Sequence, residues 1–283
     1  MTLCIAWKDL NGVHFASDSR ASFSNNTSFD HCVKVVSVPM KIYGPLSGSD
    51  KYPEQVYEQN IGMCFAGSFL GAYTIKETLI HTLASLQVIP GITDVSMDQI
   101  CKLIMKFYKL VTDKLTNVIY NEGLSKLIVT GYCPKQNMVR TFLFNFTTSP
   151  TVTTSYEEIL LKVGDIEFVG SGATTAKSKF NSLVSTPPLE ILKEIIKDKL
   201  VDSVGGAIQY GSLALRNFRV YGIVDYFVDD ANKEIETGFY YNGINLNDNP
   251  YIVKWDEFQL KQTYIDPFRD QINSLIDKGY LVK

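Results

Sequence analysis

Phe15-Ala16-Ser17-Asp18-Ser19-Arg20-Ala21-Ser22 is the stretch on which the reading of this chain turns. An apolar run meets a polar step there, so Asp18 and Arg20 stand two residues apart at the end of a strand. Upstream, the runs Leu3 to Trp7 and Val13 to Ala16 flank an Asn11-Gly12 turn signal, the pattern of a β-hairpin. Thr2 stands sixteen residues before Asp18, and Lys34 sixteen after it, at the head of the next strand. A hydroxyl, a carboxylate and an ammonium are thereby tied to the ends of three predicted strands.

Farther out, a polar loop (Ser22 to Asp30) precedes a strand at Lys34 to Val38, and another strand follows at Ile61 to Ala66. Apolar residues then recur at helical steps from Ser68 to Leu86 and from Met97 to about Tyr120. Strand patterns return at Leu127 to Tyr132, Val139 to Phe146 and Ile166 to Val169, followed by shorter helices at Thr174 to Leu183 and Leu189 to Leu200. A hairpin, Phe218 to Val228 and Glu234 to Tyr241, closes the series. Strands, two helices, strands, two helices, strands is the order of an α+β protein built as a four-layer αββα sandwich. The expected division is a domain over 1–247 and a helical extension packed on it over 248–283.

Composition narrows the function. In 283 residues, 45% are hydrophobic and 20% charged, with a formal net charge of -3, so the chain makes a core and carries no basic footprint for nucleic acid. No window approaches a membrane span and no signal segment opens the chain, which predicts a cytoplasmic protein. Five scattered cysteines without a CxxC pair read as reduced core thiols, not as a disulfide framework or zinc site. Neither GxGxxG nor GxxxxGK[ST] is present, and no metal or other cofactor is expected.

The Thr2, Asp18-Ser19-Arg20, Lys34 spacing resembles that of the proteasome β-subunit and HslV-like family of N-terminal nucleophile hydrolases. Downstream, Met63-Cys64-Phe65-Ala66-Gly67-Ser68 is similar to the family's strand-to-helix AG motif, and Phe168-Val169-Gly170-Ser171-Gly172 to its GSG motif. Val204-Gly205-Gly206 resembles the element after its fourth helix. The opening Met-Thr-Leu-Cys and the Phe29-Asp30-His31 before Lys34 are similar to the bacterial Anbu branch. The likeness spans about residues 2 to 228.

That resemblance implies catalysis by Thr2, Asp18 and Lys34 after loss of Met1. A threonine hydroxyl needs a base, and the α-amine of an N-terminal Thr, with a pKa of about 7.7–8, can serve. A lysine ammonium oriented by a carboxylate favours the developing alkoxide. The Gly67 N–H is the expected oxyanion donor. Ser171 is expected to support the amine, with Ser19, Arg20, Gly170 and Gly172 as the surrounding frame. Asp202 answers to the family's acidic residue before its SGG element, although the spacing is one residue shorter and Val204 replaces a serine.

By position, Ala21, Cys32, Val36, Phe65, Phe69 and Tyr73 would line a pocket for apolar substrate residues; the competing reading is ordinary core. Residues 35–66, 32 in all, exceed the family's usual connection and predict an inserted Pro/Gly-rich loop near the cleft. The implied partners are copies of itself in a ring or open ring, peptide or unfolded-protein substrate, and an ATP-dependent unfoldase. A non-catalytic assembly subunit that keeps Met1, and a small-molecule amidase, are the alternative readings.

Overall fold

The computed structural model describes residues 2–23, 27–46, 52–89, 95–149, 151–182, 186–246 and 264–282. Met1 and residues 248–263 of the expected extension lie outside the described residues. The chain is a mixed α+β protein. In order come β1 (Leu3–Asp9), β2 (Gly12–Asp18), β3 (Ala21–Ser22), β4 (Ser28–Phe29), β5 (Val35–Tyr43), β6 (Gln55–Gly67), α1 (Phe69–Leu83), β7 (Leu86–Gln87) and α2 (Met97–Ile119). Then follow β8 (Ser125–Cys133), β9 (Met138–Thr147), β10 (Thr153–Ile159), β11 (Ile166–Gly170), α3 (Ala173–Ser182) and α4 (Pro188–Lys197). The last elements are β12 (Ile208–Ala214), β13 (Asn217–Asp229), β14 (Glu234–Tyr241), β15 (Ile244–Asn245), β16 (Tyr264–Ile265), α5 (Arg269–Ile276) and β17 (Leu281–Val282).

Among the described residues the strands form two large sheets. One runs β11-β1-β2-β12-β13-β14-β15, with β16 on β13 and β17 on β14; the other runs β10-β9-β8-β6-β5-β7. Side-chain alternation along each strand sends residues to opposite faces, and the apolar ones collect in three cores. Cys4, Phe15, Cys64, Ile128 and Phe218 fill the space between the sheets. Met40, Met63 and Phe144 meet Ile75 and Leu79 of α1 and Ile104 and Tyr108 of α2. Leu3, Ile5 and Tyr226 meet Leu192 and Ile195 of α4 and Ile272 of α5.

Several expectations need correction. Residues 35–66 are not an inserted loop: most of them form the β5–β6 hairpin, in register from Val35↔Cys64 to Lys41↔Glu58. Alternation of Val36, Val38, Met40 and Ile42 toward α1 makes the strand, and Pro39 is tolerated because the outer side of β5 is paired only at Ile42 and Tyr43. The first hairpin turns at Leu10 and Asn11, one position earlier than the Asn11-Gly12 signal suggests. The Asp9 carboxylate accepts the Asn11 and Gly12 amides there (2.7 and 3.1 Å), supplying by side chain the turn that positive φ angles would otherwise make.

β10 and β12 were not foreseen at all. The C-terminal segment contributes more than a helix: β16 runs parallel to β13, and Phe268 and Ile272 are buried against the sheet. No helix among the described residues is long and apolar enough to cross a membrane.

Candidate active site

The site grows from the end of the first hairpin. The β1–β2 ladder reaches Cys4↔Ser17, and beyond it the Asp18 carboxylate takes over the role of a strand partner by accepting the Leu3 amide at Oδ1 (3.0 Å). The same oxygen accepts the Lys34 ammonium (2.9 Å), while Oδ2 accepts the Arg20 and Gly205 amides (both 3.1 Å). Asp18 is 0% exposed and Lys34 1%. Burying an ion pair costs several kcal/mol per ion unless the remaining valences are met. Four donors meet those of Asp18. Lys34 Nζ also donates to the Arg20 carbonyl (2.6 Å), so two of the three ammonium protons are engaged among the described residues.

Thr2 is buried beside this pair through its backbone. Leu3, the residue after it, is the one whose amide Asp18 holds. The Thr2 carbonyl accepts the Gly172 amide and the Ser171 hydroxyl, each at 3.4 Å. Gly170, at a φ of +110°, lies so close that a Cβ there would stand 2.0 Å from the Thr2 carbonyl oxygen and 3.1 Å from the Ala66 Cβ. The GSG turn therefore presses the Thr2 backbone toward the end of β6. There Gly67 is exposed at a φ of +108°, where a Cβ would meet the Leu124 carbonyl at 2.6 Å. Ser68 caps α1 immediately after, its hydroxyl accepting the Gly71 amide. Cys4 adds a tie between the same strands, its thiol donating to the Phe65 carbonyl (2.8 Å).

Around the pair, Ser19 and Arg20 tie down the loop before Lys34. The Arg20 guanidinium forks onto Asp30 (2.7 and 2.8 Å), and that hydrogen-bonded pairing holds the Asp30 carboxyl below its ordinary range. The Ser19 hydroxyl donates to the Asp30 carbonyl (2.5 Å) and accepts the Ala207 amide (2.8 Å).

Asp202 does not bring its carboxylate into this network. It is exposed, and only its carbonyl engages, accepting from Arg20 Nη1 (3.2 Å). Val204 takes an apolar slot in the helix-side core instead, which turns the preceding Ser203 hydroxyl to within 2.8 Å of Ser171 Oγ. The residue that meets Ser171 is thus Ser203. Ser171 precedes α3, which starts at Ala173 with the Gly172 carbonyl accepting the Ala176 amide.

The expected pocket divides. Cys32, Val36 and Phe65 are 2, 9 and 2% exposed and belong to the core beneath α1: the β5–β6 alternation aims Val36 and Phe65 at that helix, and Cys32 joins them from the segment before β5. Burial pushes the Cys32 thiol up to about 11, so it carries no thiolate chemistry. Ala21, Phe69 and Tyr73 retain surface. Phe69 and Tyr73 stack with ring centroids 4.0 Å apart, Lys76 Nζ sits 4.3 Å from the Tyr73 ring centre, and the Tyr73 hydroxyl donates to the Val33 carbonyl (3.2 Å). That face is apolar and aromatic.

Sequence reasoning also missed Asp30 as Arg20's partner, and Gln209. Neither carried a pattern: Asp30 lies in a polar loop, and Gln209 in a strand that Gly211 disguises. Among the described residues no cluster of three or more His, Cys, Asp or Glu is placed to hold a metal.

Comparison with solved structures gives the class first: the chain has the fold of proteasome-like N-terminal nucleophile hydrolases. The particular structures it is similar to are Anbu proteins. Against the helical assembly of the Anbu complex from Pseudomonas aeruginosa, identity is 15% over 77% of this chain and 85% of that one, with a TM-score of 0.51. Anbu (ancestral β-subunit) from Yersinia bercovieri gives 16% identity over 74% and 80%, with a TM-score of 0.49. No protein-family model and no curated protein matches the sequence.

Proposed function

We propose that this chain is a proteasome-like threonine hydrolase that cleaves peptide amides through an acyl-enzyme on Thr2, freed by removal of Met1. The observation that carries the reading is the buried Lys34–Asp18 pair, locked by Asp18 to the amide of the residue after Thr2, with one ammonium proton unengaged among the described residues. A dry ammonium with a proton to give is the group an alkoxide needs. Its positive charge also holds down the pKa of a neighbouring α-amine, keeping it the free base.

In this mechanism the Thr2 amine takes the hydroxyl proton as Oγ attacks the scissile carbonyl. Lys34 stabilises the developing charge on Oγ, and the Gly67 N–H receives the carbonyl oxygen. The leaving amine takes the proton back from the Thr2 ammonium. Water, deprotonated by the same amine, then attacks the acyl carbon, and the Thr2 ammonium returns that proton to Oγ as the C–Oγ bond breaks and the acid leaves. Ser171 and Ser203 brace the Thr2 end, Arg20 and Asp30 brace the Lys34 end, and Ala21, Phe69 and Tyr73 offer an apolar face to the substrate.

The three cores described above support a four-layer αββα order, with residues 1–247 as the hydrolase unit and 248–283 as an extension on its nine-stranded sheet. We take the working form to be a homo-oligomer, ring or open ring, in the cytoplasm. A relative is seen in a helical assembly. Unfolded substrates would come from a separate ATP-dependent unfoldase, since no nucleotide motif stands in this sequence. Turnover of fluorogenic peptides with apolar residues before the scissile bond tests the activity. Hydrolysis that disappears in Thr2→Ala and Lys34→Met is expected; equal turnover by wild type and Thr2→Ala overturns the reading.

A further inference from the structure

We infer that Gln209 is the positioning residue that presents Lys34 to the reaction, a role that rests on the threonine-hydrolase reading above. Gln209 lies in β12 and is 1% exposed. Its side chain reaches from the nine-stranded sheet to the segment that leads into β5 of the other sheet. There Oε1 accepts the Lys34 amide (2.8 Å) and the Val35 amide (3.2 Å), and Nε2 donates to the Cys32 carbonyl (2.6 Å). Both acceptor sites of the amide oxygen are used, and all three bonds go to main-chain atoms of one four-residue stretch.

That stretch needs such a hold. The β5–β6 ladder begins only at Val35↔Cys64, so Lys34 stands just outside strand pairing. β12 is meanwhile fixed against β2 with Ile208 opposite Asp18 and Gln209 opposite Ser17. One strand therefore registers both halves of the ion pair: Asp18 through the ladder, and Lys34 through the Gln209 side chain. The Lys34 side chain has four rotatable bonds, and where its ammonium ends up depends on where its Cα is held. Misplacement of a reacting group by about 1 Å can lower a rate on the order of 10²-fold.

The experiment uses the full chain in its native assembly, with Gln209→Ala and Gln209→Glu, and Ser37→Ala as a control that removes a different β5 contact, its bond to the Phe218 carbonyl. Peptide turnover is followed across pH, active sites are counted by covalent titration, and amide hydrogen exchange is read at residues 32–36. Gln209→Ala is expected to lower kcat per active site roughly 10²-fold with KM within about twofold, and to speed exchange at Lys34 and Val35 specifically. Gln209→Glu reproduces the three bonds only when its carboxyl is protonated, so its activity relative to wild type should rise as pH falls. Ser37→Ala should keep the wild-type kcat.

An unchanged kcat per active site in Gln209→Ala, with only a lower Tm or fewer competent sites, overturns the positioning role. So does a flat ratio of Gln209→Glu to wild type across pH. If the wild type turns over no peptide, the hydrolase reading fails on its own. The hold on Lys34 is then read from exchange alone, and unaltered protection at Lys34 and Val35 in Gln209→Ala overturns it.

Discussion

Two buried cations, Lys34 and Arg140, make the molecule's most instructive contrast. Arg140 joins α2 to β10: Nη1 reaches Asp98 (2.6 Å), and Nε and Nη2 fork onto Glu158 (2.8 and 2.5 Å). Those carboxylates raise its pKa further above an already high value. Every nitrogen of that guanidinium has a carboxylate partner, and two carboxylates face its one charge. Among the described residues Lys34 has one carboxylate, one carbonyl and one ammonium proton without a partner. Both sites satisfy buried charge, but Arg140 faces two carboxylates and Lys34 only one, and only the second site is built from the start of β1, the hairpin end and the loop before β12. An excess of carboxylates marks Arg140 as a brace, whereas under the proposed function the single balanced pair beside the Thr2 backbone is where chemistry takes place.

The sharpest way to break this contrast is to remove one charge from each cluster. Asp18→Asn leaves a buried ammonium without its counter-charge, and turns an amide toward donors that a carboxylate satisfied. It should abolish turnover and cost about 3–5 kcal/mol of unfolding free energy by urea titration. Arg140→Met should cost less, about 1–2 kcal/mol, because Asp98 and Glu158 are 45 and 27% exposed and can rehydrate, and it should leave kcat per active site unchanged. A loss of activity in Arg140→Met matching that of Asp18→Asn would erase the distinction.

Arg20–Asp30 falls between the two and is read by pH. The depressed Asp30 pKa means its contribution is present above the unfolded carboxylate value of about 3.9 and is lost as pH falls through the lower folded value. Urea midpoints between pH 7 and pH 2 should therefore fall less steeply in Arg20→Gln than in wild type. An identical slope would show that the fork adds nothing. The smallest expected effects concern the residues about which sequence and structure disagree. Ser203→Ala should cost about 1 kcal/mol and slow turnover a few-fold, whereas Asp202→Asn, whose carboxylate is exposed, should shift stability by less than about 0.5 kcal/mol with turnover unchanged.

What the sequence disclosed follows the same divide. The meeting of Asp18 with Lys34 and with the Leu3 amide was foreshadowed by a spacing that resembles a known family's, of which the hairpin length sets only the Thr2–Asp18 interval, and the long helices were legible because Ile100, Ile104 and Phe107 keep a helical period. β12 escaped because Ile208-Gln-Tyr-Gly-Ser-Leu-Ala lacks clean alternation. Its Gly211 is required by Phe218, whose ring would stand 2.5 Å from a Cβ there. β10 is a polar sheet-edge strand, Thr153-Thr-Ser-Tyr-Glu-Glu-Ile, with a weak apolar signal. Asp30, Ser203 and Gln209 act through hydrogen bonds to residues distant in the sequence, which leave no periodic trace. For the expected pocket residues, residue type showed an apolar cluster, but only packing under α1 separates the core members Cys32, Val36 and Phe65 from Ala21, Phe69 and Tyr73 at the surface.

Intact mass spectrometry of the natively expressed protein, with and without a peptide epoxyketone, tests the central claim most directly, because that reagent needs both the hydroxyl and the free amine of an N-terminal Thr. The account predicts a mass lacking Met1 that gains one adduct, with no adduct in Thr2→Ala. A mass that retains Met1 and gains nothing would contradict it.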